Sequence, residues 1–80
     1  MSVGLKLRDG LIAYAAMGVD RDSGVTAYAF ADARLVAMGY PEKVAWSIID
    51  RLERKGYIEY GVSSRSGWLT SSGIEALRTS

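Results

Sequence analysis

Apolar residues recur along the chain first at helical spacing and then, beyond residue 57, at the two-residue spacing of a strand. Leu7, Leu11, Ile12, Ala15 and Ala16 stand three and four apart, which predicts an amphipathic helix over residues 5–17 that ends near Gly18. Gly10 falls inside this pattern and weakens it, because glycine is a poor helix former. Residues 19–24 hold two aspartates, a serine and a glycine, the residue types of a turn. A second helix is predicted over 26–38, with Thr26 as its N-cap and Gly39 as the left-handed residue that closes it. The alanines between Ala27 and Ala37 permit close approach by a neighbouring helix.

The strongest helical pattern runs from Pro41, at a favoured first-turn position, to about Lys55. Glu42 near its positive end and Arg54 and Lys55 near its negative end complement the helix dipole. Val44, Ala45, Ile48, Ile49 and Leu52 form the apolar stripe, leaving Lys43, Trp46, Ser47, Asp50, Arg51 and Arg54 wholly or partly outside. Gly56 stops the helix, and Ile58, Tyr60 and Val62 alternate as a strand. Residues 63–67 form a polar turn, and Trp68, Leu69 and Thr70 return antiparallel, so residues 57–70 are predicted to be a hairpin. Thr70 or Ser71 caps a last short helix, Ser71 to Thr79, with Ile74 and Leu77 facing inward. The predicted fold is therefore α+β, one domain over residues 1–80, with a three-helix core, a β-hairpin and a short C-terminal helix.

Composition narrows the chemistry. The chain has 80 residues, 49% of them hydrophobic, enough for one compact core. It contains no cysteine and no histidine, which removes disulfides, thiolate or imidazole metal ligands, a nucleophilic cysteine and the usual serine–histidine relay. No phosphate-cradling glycine loop accompanies the carboxylates, so the expectation is a non-enzyme that needs no cofactor and no metal. The segment Asp20-Arg21-Asp22-Ser23-Gly24 superficially resembles the start of a calcium loop. Its glycine falls one position early, and alanine occupies position 31, where a bidentate glutamate is required. Charged residues interrupt every apolar stretch after Lys6, so no membrane span is expected. The first ten residues, followed by Leu11 to Met17, do not form an export signal, and the expected location is the cytoplasm. The net charge is only +1, so binding to a polyanion would depend on locally placed cations rather than on bulk charge. Through Tyr40 the chain is balanced, whereas Lys43, Arg51, Arg54, Lys55, Arg65 and Arg78 place the later half as the docking side for a polyanion.

Three features from Pro41 to Leu77 carry a family resemblance. They are the helix ending in Leu52-Glu53-Arg54-Lys55-Gly56-Tyr57-Ile58-Glu59, the arginine-bearing turn, and Leu69-Thr70 followed by Gly73 and Leu77. This stretch, a little under half of the chain, resembles the winged helix-turn-helix of MarR-type and PadR-type regulators. The resemblance implies a transcriptional regulator that binds double-stranded DNA. A recognition helix over about 41–55 would enter the major groove, and a wing over about 62–68 would touch the backbone or minor groove.

The residues this implies are Lys43, Trp46, Ser47, Arg51, Arg54, Ser64 and Arg65. Lys43 and Arg51 suit phosphate contacts or bidentate base contacts, and equally suit a solvated helix face. Ser47 reads almost any base. Arg54, like Lys55, serves either as a backbone clamp or as an ordinary helix-end charge. Arg65, among Ser63, Ser64, Ser66 and Gly67, is the leading wing contact, against a plain flexible hairpin tip. Trp46 either packs beneath the turn of helix two with Tyr40, the favoured placement, or marks a partner surface, and Trp68 raises the same choice. An 80-residue module covers little DNA alone, so a homodimer through the first and last helices is expected. The alternative, favoured by near-neutral charge, five tyrosines and Asp50 on the presumed DNA face, is a module that docks on a protein partner.

Overall fold

A computed structural model describes residues 4–80. Residues 1–3, part of the stretch considered above for an export signal, lie outside the described residues. The order is α1 (Leu5–Asp22), α2 (Ala31–Ala37), α3 (Glu42–Arg54), β1 (Ile58–Glu59), a 3-10 turn (Ser64–Ser66), β2 (Trp68–Leu69) and α4 (Ser71–Thr79). The fold is a small α+β arrangement of four helices and one two-stranded antiparallel hairpin, with Ile58 opposite Leu69 and Glu59 opposite Trp68. No described helix is long and apolar enough to cross a membrane.

The first three helices end in the same way. Gly24, Gly39 and Gly56 each adopt positive φ one residue beyond the C-cap. The following amide then bonds back to a carbonyl of the last turn: Val25 N–H to Asp20, Tyr40 N–H to Leu35, and Tyr57 N–H to Leu52, at 3.0–3.2 Å. These are Schellman closures, which satisfy carbonyls that a helix end otherwise leaves unpaired. Gly39 and Gly56 act as the sequence predicts. Gly18 does not stop α1, which continues through Asp22 to the Gly24 closure, so most of the expected turn over 19–24 is helix.

α2 begins at Ala31 rather than at Thr26, and Phe30 holds its N-cap position without a side-chain cap. β1 covers only Ile58 and Glu59, so Tyr60 and Val62 stand beyond the ladder, and Val62 is 98% exposed. α4 is capped as expected: Thr70 Oγ1 accepts from Gly73 N–H at 3.1 Å and donates to the Gly56 carbonyl at 2.6 Å. Its inward face differs from the expectation, because Gly73 and Ala76 are buried, Leu77 is half-buried and Ile74 is exposed. The cause is close approach: a Cβ at residue 73 would collide with the Tyr57 carbonyl, so the helix seats on its smallest residues.

The core lies where the first three helices meet. Leu7, Leu11, Tyr14 and Met17 from α1, Ala31 and Leu35 from α2, and Ala45, Ile48, Ile49 and Leu52 from α3 are buried there, closed by Ile58 and Ala76. The buried face of α1 is thus rotated from the predicted stripe, since Ile12, Ala15 and Ala16 are only half-buried. Gly10 explains the rotation. Its missing Cβ lets Ile48 and Leu52 of α3 come within 2.7 Å of where that carbon would stand.

Candidate functional site

α3 presents its apolar stripe to the core and its polar residues to solvent as the periodicity predicts. Lys43, Trp46, Ser47, Asp50, Arg51 and Arg54 are all exposed. At about 100° per residue these side chains span a wide arc, and the arc has two sides of different character. On one side, Lys43, Ser47 and Arg51 rise along successive turns beside the start of α1. With Lys6, Leu7, Val44 and Ile48 they line a cleft of about 280 Å³. Its floor is apolar and its rim carries three cations and a hydroxyl.

The other side of α3 carries Trp46, Asp50 and Glu53. Asp50 is paired with Arg54 at 2.7 Å, one helical turn apart. Glu53 accepts a hydrogen bond from the Tyr60 phenol at 3.1 Å, and this bond, more than its negative charge, raises the Tyr60 pKa. Trp46 is 37% exposed. Tyr40 is held by α1: its phenol donates to Asp9 at 2.6 Å, which raises the Tyr40 pKa. The favoured core placement for Trp46 is therefore corrected to a partly exposed position on the outer face of α3.

Ser64 and Arg65 lie apart from this cleft, in the 3-10 turn of the hairpin loop. The turn is docked on the body, since Tyr14, buried in α1, donates its phenol to the Ser64 carbonyl. Burial, then the Asp32 and Glu53 carboxylates, push the Tyr14 pKa well above its ordinary value. Arg65 sits over the Phe30 ring, 5.4 Å from its centroid. That cation–π contact anchors the guanidinium and consumes none of its N–H donors. The hairpin loop thus touches the body through both Ser64 and Arg65.

Among the described residues, Arg34 pairs with Asp20 at 2.5 Å, Arg54 with Asp50 and Arg78 with Glu75. Lys6, Lys43 and Arg51 form no ion pair there, and all three meet at the one cleft. Sequence reasoning missed Lys6. Its charge is matched within a balanced first half, and only the packing of α1 on α3 brings it beside Lys43.

A second cleft, of about 340 Å³, opens between the later half of α1, β2 and α4. It is lined by Val19, Trp68, Leu69 and Ile74 with Arg21 and Asp22 at its edge. Val19, Ile74 and Trp68 are 65%, 49% and 43% exposed, so uncovered apolar surface gathers around this cleft. No protein-family model, curated protein or solved structure matches the chain.

Proposed function

We propose that the chain is a winged helix-turn-helix module that binds double-stranded DNA as a small transcriptional regulator in the cytoplasm. In this reading α2 and α3 form the helix-turn-helix, α3 enters the major groove, and the β1–β2 hairpin is the wing. The observation that carries it is the run of Lys43, Ser47 and Arg51 along the outer side of α3, none of the cations ion-paired among the described residues. Free cations on an exposed helix are available to phosphates and to guanine edges. Arg65, fixed over Phe30 with its donors free, is a preset contact for the flanking backbone. Arg54, paired with Asp50, contributes less, and Trp46 borders the footprint.

A second copy is part of this reading, because one module of this size buries too little DNA for tight specific binding. The test is fluorescence anisotropy with a pool of genomic duplex fragments at about 50 and 200 mM salt, the range over which phosphate contacts weaken steeply. Binding that falls with salt, and falls further in Lys43→Ala/Arg51→Ala, supports the reading. Absence of binding by folded protein at low salt refutes it.

One observation favours a second reading, a module that docks on a protein partner: the uncovered Val19, Trp68 and Ile74 around the second cleft. Salt-tolerant association that is lost in Trp68→Ala would support that reading instead.

A further inference from the structure

We infer that the cleft between the start of α1 and α3 is a phosphate-binding site, with Lys6 as a ligand contributed from outside the helix-turn-helix. The first ground is electrostatic. Lys6, Lys43 and Arg51 converge on one cleft without any carboxylate in its lining. Three like charges lining one cleft repel one another and gain from an anion between them, and no carboxylate lines the cleft.

The second ground is the shape and lining of the site. Its volume, about 280 Å³, equals roughly nine water molecules at about 30 Å³ each, room for a phosphate group and part of its hydration. Leu7, Val44 and Ile48 form an apolar floor beneath the cations. Such a floor lowers the local dielectric and strengthens charge-assisted hydrogen bonds from the rim. Ser47 adds a neutral hydroxyl donor. Two ammonium groups and one guanidinium around a hydroxyl suit a tetrahedral anion with several acceptor oxygens better than a planar carboxylate, which a single arginine fork satisfies.

The assignment of this phosphate to a nucleic-acid backbone rests on the DNA-binding reading; the site itself does not. On a duplex, α3 in the major groove would bring the cleft onto the flanking strand, so Lys6 would extend the footprint beyond the helix-turn-helix. Such a contact sets affinity and register and carries no sequence information. A free phosphate ester is the other source of the same chemistry.

The test has two arms on the full chain. In the first, inorganic phosphate is titrated at constant ionic strength against chloride while backbone amide shifts are recorded for the wild type and Lys6→Gln. In the second, the salt dependence of duplex binding is measured for the wild type, Lys6→Gln and Lys55→Gln. Lys55 carries the same charge at the end of α3 but does not line the cleft. The expected result is phosphate-specific shifts at Leu7, Val44 and Ser47 that Lys6→Gln abolishes. In the second arm, the salt slope of Lys6→Gln falls by about 0.9, the loss of one phosphate contact, and that of Lys55→Gln changes less. Phosphate shifts without duplex binding keep the site, assign it to a free phosphate and remove the DNA reading. A slope change without shifts assigns it to the backbone alone. Duplex binding in which Lys6→Gln and Lys55→Gln behave alike, with no phosphate shifts, overturns the inference and leaves the DNA reading standing. Neither duplex binding nor phosphate shifts removes both.

Discussion

Replacing Gly10 by alanine separates two effects of opposite sign, and the structure decides between them. In an exposed helix interior, glycine to alanine is stabilising by about 0.8–1.0 kcal/mol, because alanine has the better helix propensity. At Gly10 the new methyl would stand 2.7 Å from both Ile48 Cγ2 and Leu52 Cδ1, well inside contact distance. The Ile48 methyl is fixed by branching at Cβ, so relief requires α1 and α3 to move apart. Overpacking of this kind costs about 1–3 kcal/mol. The net expectation is a loss of about 1 kcal/mol where propensity alone predicts a gain of that size.

Gly18→Ala is the matched control. It lies in the same helix, has no positive φ, and its methyl would meet nothing nearer than Arg21 Nη2 at 3.9 Å. Only the propensity effect operates there, so Gly18→Ala gains about 1 kcal/mol. Subtracting one variant from the other cancels propensity and leaves the packing cost of about 1–3 kcal/mol. Urea unfolding followed by circular dichroism reads this difference as a shift in midpoint at unchanged slope. Thermal midpoints should separate in the same sense, by about 4–8 °C per kcal/mol for a domain this small. If the two variants are equally stabilising, α1 does not approach α3 as described, and the cleft that depends on that approach loses its basis.

Tyr14→Phe leaves the Ser64 carbonyl without its phenol donor and should cost about 1–3 kcal/mol at neutral pH by denaturant unfolding. It should also flatten the alkaline limb. The folded pKa is raised above the ordinary 10.0, so the native state keeps a proton that the unfolded chain releases. That contribution is whole below about pH 10 and declines as pH rises toward the folded pKa, by at most about 1.4 kcal/mol per pH unit in the wild type. A wild-type alkaline limb no steeper than that of the variant would contradict it. Thr70→Ala removes both the cap on Gly73 N–H and the bond to the Gly56 carbonyl, for an expected loss of about 1–2 kcal/mol that Thr70→Ser largely restores. Glu75→Gln adds as much net positive charge as Lys43→Gln removes, yet duplex affinity at about 100 mM salt should change only for Lys43→Gln; equal and opposite changes in anisotropy titrations would show that bulk charge governs binding.

The helix ends show what could be read from sequence and what could not. Gly39 and Gly56 follow strongly periodic segments and precede a break in the pattern, so their role was visible. Gly18 was read as the end of α1, and Gly24 as part of the turn that the residue types of 19–24 suggest. Residues 19–22 remain helical, with Asp20 paired to Arg34 of α2, a contact fourteen residues away that local pattern does not show. Gly10 looked like a weakness because its value is tertiary: α3 occupies the space its side chain would have filled. Ile74 was assigned inward by apolarity, whereas contact with the Tyr57 carbonyl selects Gly73 for the buried position. Of the candidate site, the exposed face of α3 was legible because it is a single helix with a clear period. Lys6 was not, because the cleft is made by two helices far apart in sequence.

Charge follows the same logic. A net charge of +1 argues against a polyanion partner only if every charge counts equally everywhere. In the folded chain five of the nine carboxylates are engaged locally: Asp20 by Arg34, Asp50 by Arg54, Glu75 by Arg78, and Asp9 and Glu53 by the phenols of Tyr40 and Tyr60. α4 packs beside the Gly18–Val19 part of α1 through Ile74, next to Glu75. Lys6 lies twelve residues earlier on the same helix, about 18 Å away at 1.5 Å per residue. That separation exceeds the screening length of about 8–10 Å at ordinary salt, so charges at the Gly18 end of α1 contribute little around Lys6. What an approaching phosphate meets there is set by Lys6, Lys43 and Arg51. A near-neutral chain can therefore hold a locally positive site, provided that folding gathers unpaired cations along one cleft and keeps carboxylates out of its lining.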